Sequence, residues 1–526
     1  MDRRFFLKLS FGISTGLAFA ENLPITPTIS NESARKPNVI IIYNDDQNFK
    51  DIACYGAKAY TPNQDKLAKQ GIRFTRGYAS TSICTPSRYS CLTGKYPSRC
   101  SHPTFLDQFP KGIQTEVGFN TLLEYDRYNL ASVMKEAGYS TGMVGKWHLS
   151  DISASQKAGC PVIRSDDWLD GWSGSDNQPD VKSPEFSAAL KENHQFWQDE
   201  IKKFGFDYAD RIYATNPESF NLHSMNIHNH EWIVEGAVEF IEQNKNEPFF
   251  LYMAPTLNHI PHPQQSLLKA DPKITSAGYL DKEPDVMPSR QEILEKVKSK
   301  GYPVETAYLT WLDEGIGAVV NKLEELELDK NTLIILSSDN QTLDKVTLYE
   351  GGINVPLIIS YPDKIKQHQV SNELVQNIDF MPTIMDACNI KKPEEMGLDG
   401  KSLMPLLLGK HETIHNSLYF EIGWTRAVCT KRWKYIALRY SRDAIGKKKN
   451  SQHLYHYEKM RPHQHNSLLK HPDFWDEDQL YDMENDKNET TNLANDPQYE
   501  KVLAQMKKIM LEKLMKLGDH PFGNLI

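Results

Sequence analysis

Two short acidic pairs and one cysteine motif are the residues in this chain best suited to chemistry. Asp45-Asp46 follows the apolar run 37–43, and Asp339-Asn340 follows a second apolar run, 332–337. Both runs read as strands of a parallel sheet, so both pairs fall at carboxyl ends of strands, where open α/β sheets bind ligands. Three carboxylates and an amide, with no His or Cys among them, form a hard oxygen set suited to Ca²⁺ or Mg²⁺ rather than zinc. Taken singly, each pair is better explained as a turn former or helix cap. Cys84-Thr85-Pro86-Ser87-Arg88 weighs against coincidence. Four fixed identities at the spacing Cys-x-Pro-Ser-Arg arise by chance in only about one in a thousand chains of this length.

Continued through Tyr89-Ser90-Cys91-Leu92-Thr93-Gly94-Lys95-Tyr96-Pro97, the segment resembles the core motif of the type I sulfatases, in the alkaline phosphatase superfamily. Other stretches stand in sulfatase order: 38–46, Tyr60-Thr61-Pro62-Asn63, Gly142-Met143-Val144-Gly145-Lys146-Trp147-His148, Leu348-Tyr349-Glu350-Gly351-Gly352, Val355-Pro356-Leu357 and Leu480-Tyr481-Asp482. The resemblance implies that a dedicated maturation enzyme oxidises Cys84 to formylglycine, whose hydrate supplies the nucleophile. A serine attacking a sulfate ester would leave a stable sulfo-serine, whereas a sulfated geminal diol expels sulfate by collapsing to the aldehyde. Asp45, Asp46, Asp339 and Asn340 resemble the family's metal ligands, with modified Cys84 facing the ion; Ca²⁺ is the usual occupant and Mg²⁺ the alternative. Arg88 and Lys146 match residues that hold the hydrated aldehyde, and His148 matches the base that deprotonates its second hydroxyl. His259 and Lys345 match the pair that grips sulfate and protonates the departing oxygen. His262-Pro263 repeats the pattern of His259-Ile260-Pro261, which makes His262 a second candidate for sulfate.

The resemblance implies a sulfuric ester hydrolase acting on a sulfated carbohydrate. Two other readings stay open: a phosphodiesterase or phosphonate monoester hydrolase of the same superfamily, and a noncatalytic glycan-binding relative.

These residues need a scaffold that gathers strand ends. Continuous apolar runs at 37–43, 71–78, 140–144, 248–253, 332–337 and 355–360 alternate with helical patterns at 63–70, 129–137, 231–243 and 305–326. Alternation of this kind predicts an α/β fold, a large mixed, mostly parallel sheet sandwiched by helices, over 36–410. Beyond residue 410 the pattern shifts to short amphipathic strands at 425–430 and 433–438, closed by a helix at 498–516. That predicts a smaller α+β subdomain over 411–526, an antiparallel sheet plus a helix. Segments 151–229 and 441–478 lack clear periodicity, and long segments of that kind in compact enzymes are often functional. The first contains Trp168 and Trp172, candidates for stacking on a sugar ring, and Trp197, which sits in a helix-like run. The second contains five of the 17 histidines and the cluster Lys447-Lys448-Lys449, but no convincing zinc spacing. One departure from the family stands beside the site: the stretch after Asn340 reads Gln341-Thr342-Leu343-Asp344-Lys345 instead of glycine-rich, so Asp344 is placed to damp the charge of Lys345.

The rest of the chain bounds the setting. Its 526 residues, 39% hydrophobic and 25% charged, are globular in composition. Sixty basic against 69 acidic residues give a net charge of −9, which argues against nucleic acid as the main partner. Arg3, Arg4 and Lys8 precede a weakly apolar stretch ending Ala18-Phe19-Ala20. Residues 1–20 therefore read as a signal peptide of twin-arginine or general secretory type, followed by a linker over 21–35, and no later run is long enough to span a bilayer. An exported, periplasmic or secreted protein is expected. Seven scattered cysteines leave at least one unpaired, and Cys54 reads as a buried apolar thiol.

Overall fold

Strand β1 (Asn38–Asn44) is buried along its whole length, as a β-branched run predicts for the centre of a parallel sheet. Its side chains alternate between two cores: Val39, Ile41 and Tyr43 enter one, Ile40 and Ile42 the other. The computed structural model describes residues 35–151, 180–220, 222–410, 413–440, 467–518 and 520–523. Residues 1–34, which hold the expected signal peptide and most of the linker, lie outside the described residues, as do Trp168, Trp172, Cys160 and the Lys447 cluster.

Seven more strands join β1 in an eight-stranded sheet: β2 (Gly71–Phe74), β4 (Ser140–Lys146), β5 (Tyr208–Tyr213), β6 (Phe249–Ala254), β9 (Thr332–Ser338), β10 (Leu357–Ser360) and β11 (Gln369–Ser371). Their order is β11-β2-β10-β9-β1-β6-β4-β5. Every pairing is parallel except those of β10, which runs antiparallel to both β2 and β9. The mixed, mostly parallel sheet is thus as expected. On one face pack α2 (Cys84–Thr93) and helices Leu130–Glu136 and Phe380–Ala387; on the other, α1 (Pro62–Gln70) and helices His230–Gln243 and Ala307–Glu325.

The run 71–78 divides into β2 and a short β3 (Gly77–Tyr78) that pairs in parallel with β12 (Val375–Gln376). A second small ladder joins β7 (Ile274–Thr275) to β8 (Gly278–Tyr279). The segment 151–229 is more regular than its sequence suggests, since it holds helix Pro184–Lys202 and strand β5. Ser183 caps that helix by accepting from Phe186 N, and Leu190, Trp197 and Ile201 face the interior. The apolar rhythm is diluted because Asn193, His194 and Glu200 are buried on the same helix.

Beyond residue 410, β13 (Leu418–Ile422), β14 (Thr425–Cys429), β15 (Trp433–Leu438) and β16 (Asp478–Asp482) form an antiparallel sheet in chain order. Helix Glu500–Leu517 covers one face with Met506, Met510 and Leu514. The other face joins a core that includes Tyr78, Ile83, Val346 and Leu348 from the larger body. The chain from Lys36 onward is one compact unit, because this shared core welds the small sheet to the large one. The six described cysteines are free thiols, and Cys54 is only partly buried, less than its apolar setting suggested.

Candidate active site

Four adjacent strands deliver the predicted residues to one place. β1 and β9 run in register, Asn44 beside Ser338, so Asp45 and Asp339 leave the sheet together. Asp339 N donates to Asn44 O at 3.0 Å. β6 lies on the other side of β1 and leads into the loop that carries His259, and β4, next to β6, ends at Lys146. All four contribute from their carboxyl ends, the crevice where this topology opens. The chain takes left-handed backbone at three non-glycine residues there: Asp46 (φ 59°), His148 (φ 56°) and Val346 (φ 68°). Such conformations persist only where the surroundings impose them.

Cys84 is the first residue of α2, after Ile83 in extended conformation. Pro86 is tolerated because a first-turn N–H has no intrahelical acceptor. Arg88 follows Cys84 by four residues, so both lie on one helix face. The helix is anchored by Ser87, whose hydroxyl donates to Asp339 O at 2.6 Å and lies 2.8 Å from the Tyr43 hydroxyl. Asn377 Nδ2 donates to both Ser87 Oγ and Tyr43 Oη, at 3.1 and 3.0 Å. All ten residues of α2 are buried.

Cys84 Sγ lies 3.5 Å from Asp45 Oδ1, 3.8 Å from Asn340 Oδ1 and 3.8 Å from Lys345 Nζ. Asp45, Asp46, Cys84 and His259 offer ligand atoms that all lie within 4.8 Å of one another. Asn340 Oδ1 adds a neutral oxygen. Asp339 is held apart from this group, with Oδ2 accepting from Arg88 at 2.8 Å and Oδ1 from Asp46 N at 3.1 Å. The buried carboxylates are matched by buried cations: Lys146 Nζ reaches Asp45 Oδ2 at 2.7 Å, and Lys345 Nζ reaches both Asp46 oxygens at 2.6 and 2.7 Å. Pairing of this kind is the condition for keeping charges out of water.

The field of this cluster sorts the titratable groups. Burial alone would raise the Asp45 carboxyl, but Lys146, His259, Arg88 and Lys345 hold it well below the usual range. Asp339 is pushed up to about 6 by burial and by the charge of Asp45, despite Arg88. Burial, with Asp339 and Asp45, pushes the Cys84 thiol up to about 12. A thiol so placed is protonated at neutral pH and is a poor nucleophile. The two histidines move in opposite directions. Burial, Lys146 and Arg88 drive His148 well below its ordinary value, so the ring is neutral, and its Nδ1 has no hydrogen-bond partner among the described residues. Burial and Lys345 work to lower His259, but Asp46, Glu218 and Asp45 outweigh them and raise it. Titratable groups driven apart in this way mark acid and base roles.

Two expectations change in detail. His262 is exposed, and its Nδ1 accepts from Gln264 N at 3.2 Å as cap of helix Pro263–Lys269, which gives the ring a local task away from the cluster. Asp344 has partners of its own. Its carboxylate accepts from Ser467 Oγ at 3.0 Å and Lys470 Nζ at 3.2 Å and faces His471 Nε2 at 3.5 Å. That orientation fits only because residue 351 is glycine, since a Cβ there would sit 2.1 Å from Asp344 Oδ2. Trp197 is a core residue, buried in its helix.

The sequence did not point to Phe119, whose ring stacks on His148 with centroids 5.5 Å apart. Nor did it single out Asn216 and Glu218, which approach the ring of His259. His228 props the same loop, with Nδ1 2.7 Å from Thr256 Oγ1 and Nε2 2.9 Å from both His259 O and Pro261 O.

Known proteins match this chain over most of its length. The sulfatase family profile covers residues 37–390, and a second profile, the C-terminal region of N-sulphoglucosamine sulphohydrolase, covers 339–472. An N-acetylgalactosamine-6-O-sulfatase of Bacteroides thetaiotaomicron is 26% identical, over 91% of this chain and 94% of its own. An ulvan-active sulfatase of Formosa agariphila is also 26% identical, over 94% of this chain and 84% of its own. A structure solved in work on glycosaminoglycan metabolism by Bacteroides thetaiotaomicron superposes with a TM-score of 0.60 at 22% identity, covering 91% of this chain and 99% of the other. Another, solved in complex with its substrate D-glucosamine-2-N,6-O-disulfate, has a TM-score of 0.59 at 19% identity, covering 92% and 99%. With the strand-end cluster built around Cys84, these matches place the chain in the sulfatase family, whose members are sulfuric ester hydrolases.

Proposed function

We propose that this sulfatase is exported and removes a sulfate ester from a sulfated carbohydrate, using formylglycine made from Cys84 beside a bound divalent cation. The observation that carries the reading is the setting of Cys84, buried at the start of α2 between Asp45, Asn340 and Lys345, with its thiol pushed up to about 12. An unmodified thiol there would be inert, whereas a hydrated aldehyde would meet both a base and cationic partners. The carbohydrate substrate is supported by relatives named for sulfated sugars and for ulvan.

The oxygen donors of Asp45, Asp46 and Asn340 fit a hard cation such as Ca²⁺ or Mg²⁺, with Asp339 at the rim of the set. When bound, the cation would supply Lewis-acid polarisation of sulfate oxygens and favour the ionised nucleophile. The protein's own groups supply the rest. Arg88 and Lys146 brace the position of residue 84 and balance the carboxylates around it. His148, neutral and without a partner at Nδ1 among the described residues, accepts the proton whose loss lets sulfate go. His259 and Lys345 grip sulfate and serve the departing sugar oxygen. We assign 36–410 to the catalytic domain and 411–526 to the smaller subdomain. Export rests on the character of residues 1–20; among the described residues no helix is long and apolar enough to cross a membrane.

The test pairs two measurements on protein purified from its native host. Peptide mass spectrometry should find residue 84 as formylglycine, and sulfate should be released from a panel of O-sulfated sugars but not phosphate from matched phosphate esters. Wholly unmodified Cys84 would remove the proposed chemistry, and faster cleavage of the phosphate esters would reassign the substrate.

A further inference from the structure

One largely shielded acid beside the site has no role in the chemistry described so far. β5 ends at Tyr213, and the chain turns into the 3₁₀ segment Pro217–Phe220, which sets Asn216 and Glu218 against His259. Glu218 Oε1 lies 3.2 Å from His259 Nδ1, and the Glu218 side chain is only 13% exposed. Among the described residues neither carboxylate oxygen has a hydrogen-bond partner, and the ion-pair partner is His259. A carboxylate so deeply placed is costly unless a positive group or a donor faces it.

The ring geometry shows what it faces. His259 Nδ1 also lies 2.9 Å from Ile260 O. A carbonyl oxygen can only accept, so Nδ1 carries a proton that it donates to Ile260 O, and the Glu218 carboxylate lies beside that N–H edge as an ion-pair partner. Nε2 then points the other way, 3.2 Å from Asn216 Nδ2 and 3.7 Å from Asp46 Oδ2, on the side of the ring that looks toward Cys84.

We propose that Glu218 is a positioning residue for His259: its carboxylate anchors the Nδ1 edge of the ring so that Nε2 is presented to the departing oxygen of the substrate. This rests on the sulfatase chemistry proposed above. It places a functional residue in a segment of the chain that carries no recognisable motif, and it explains why a charged side chain is kept inside next to an edge strand.

A carboxylate acting through His259 should matter most when the leaving group needs a proton. With an O-sulfated sugar, whose alkoxide is a poor leaving group, Glu218→Gln should lower kcat by about 10- to 100-fold while KM stays within about threefold. With an aryl sulfate of an acidic phenol, both constants should stay within about threefold of wild type. In a His259→Ala background, adding Glu218→Gln should change neither substrate's rate, since residues acting through one another are not additive. Glu218→Asp, which keeps the charge but draws it back, should fall between wild type and Glu218→Gln. Equal losses on both esters, or a further loss on top of His259→Ala, would overturn the proposal in favour of a structural or direct substrate role. A readout independent of turnover is the long-range ¹H–¹⁵N spectrum of the His259 ring. Nδ1 should hold its proton in wild type whether or not Nε2 also carries one, and the neutral ring of Glu218→Gln should spread its proton over both nitrogens. A bare Nδ1 in wild type would also overturn the proposal. The expected spectrum in an enzyme that turns over neither ester would uphold the anchoring by Glu218 and reject the chemistry assigned to His259.

Discussion

Cys84 contributes little to holding α2 in place, because Ser87, Tyr43 and Asn377 do that work through their hydrogen bonds. Cys84→Ala should therefore abolish sulfate release while shifting the melting temperature by no more than a few degrees; the cavity left by one sulfur is worth about 1 kcal/mol. Thermal melting beside a sulfate-release assay checks it, and unfolding of the variant would contradict a purely chemical role. His148 yields a second expectation. Burial and the charges of Lys146 and Arg88 keep it neutral well below its ordinary value of 6.5. A base with a lowered pKa remains competent as the pH falls, so the acidic limb of kcat should lie below 6.5; a limb centred above that would show another group titrating.

Most of the site is legible at this scale because its residues come in short, unusual combinations. Cys84-x-Pro-Ser-Arg88 and the two acidic pairs after apolar runs need no alignment to stand out. Glu218 and Asn216 are invisible in the sequence, since a Glu after Pro217 looks like an ordinary turn. Only the ring of His259, which lies 43 residues from Asn216 along the chain, gives them meaning. His262 misled in the opposite sense: a histidine before proline suits a helix cap as well as a ligand, and the cap is what it forms.

At the scale of elements, β4 shows how a strand aims the side chains that follow it. Its pairing with β5 slips between Val144 and Gly145, a bulge that redirects the residues after it. Gly145 takes φ +94°, and a Cβ there would lie 2.1 Å from Ala254 O. The obstructing atom belongs to the backbone of β6 and has no rotamer to escape into. Gly145→Ala should thus cost about 2–4 kcal/mol, from left-handed strain and overlap together. Activity should fall as well, because Lys146 and His148 follow within three residues. Denaturant unfolding checks the first effect. A wild-type midpoint would show that the bulge can relax. Central strands were readable from their unbroken apolar runs, buried on both faces. Helix Pro184–Lys202 is readable only as a helix-like run around Trp197, because its buried face includes polar Asn193, His194 and Glu200.

At the scale of the whole molecule, the two sheets meet along a shared core whose existence no local pattern announces, since its members come from positions as distant as Tyr78 and Tyr481. Glu116 sits at this junction, next to Val117, which bridges Gly423 at the turn between β13 and β14. Burial raises its carboxyl from 4.5 to about 7. The opposing pull of Arg426 is weak because that guanidinium donates to Thr115 O and Gly423 O and lies 3.5 Å from Glu421. The folded state therefore favours protonated Glu116, and folding takes up a proton between about pH 4.5 and pH 7. The stability this gives is complete below 4.5 and is lost as the pH rises through 7, an amount on the order of 2 kcal/mol after allowing for partial exposure. Glu116→Gln keeps the shape and removes the proton, so it should flatten that part of the stability profile and leave the protein more stable than wild type at pH 8. Unfolding midpoints measured from pH 4 to 8 decide the matter, and parallel profiles for the two proteins would mean that the carboxyl at this seam is solvated after all.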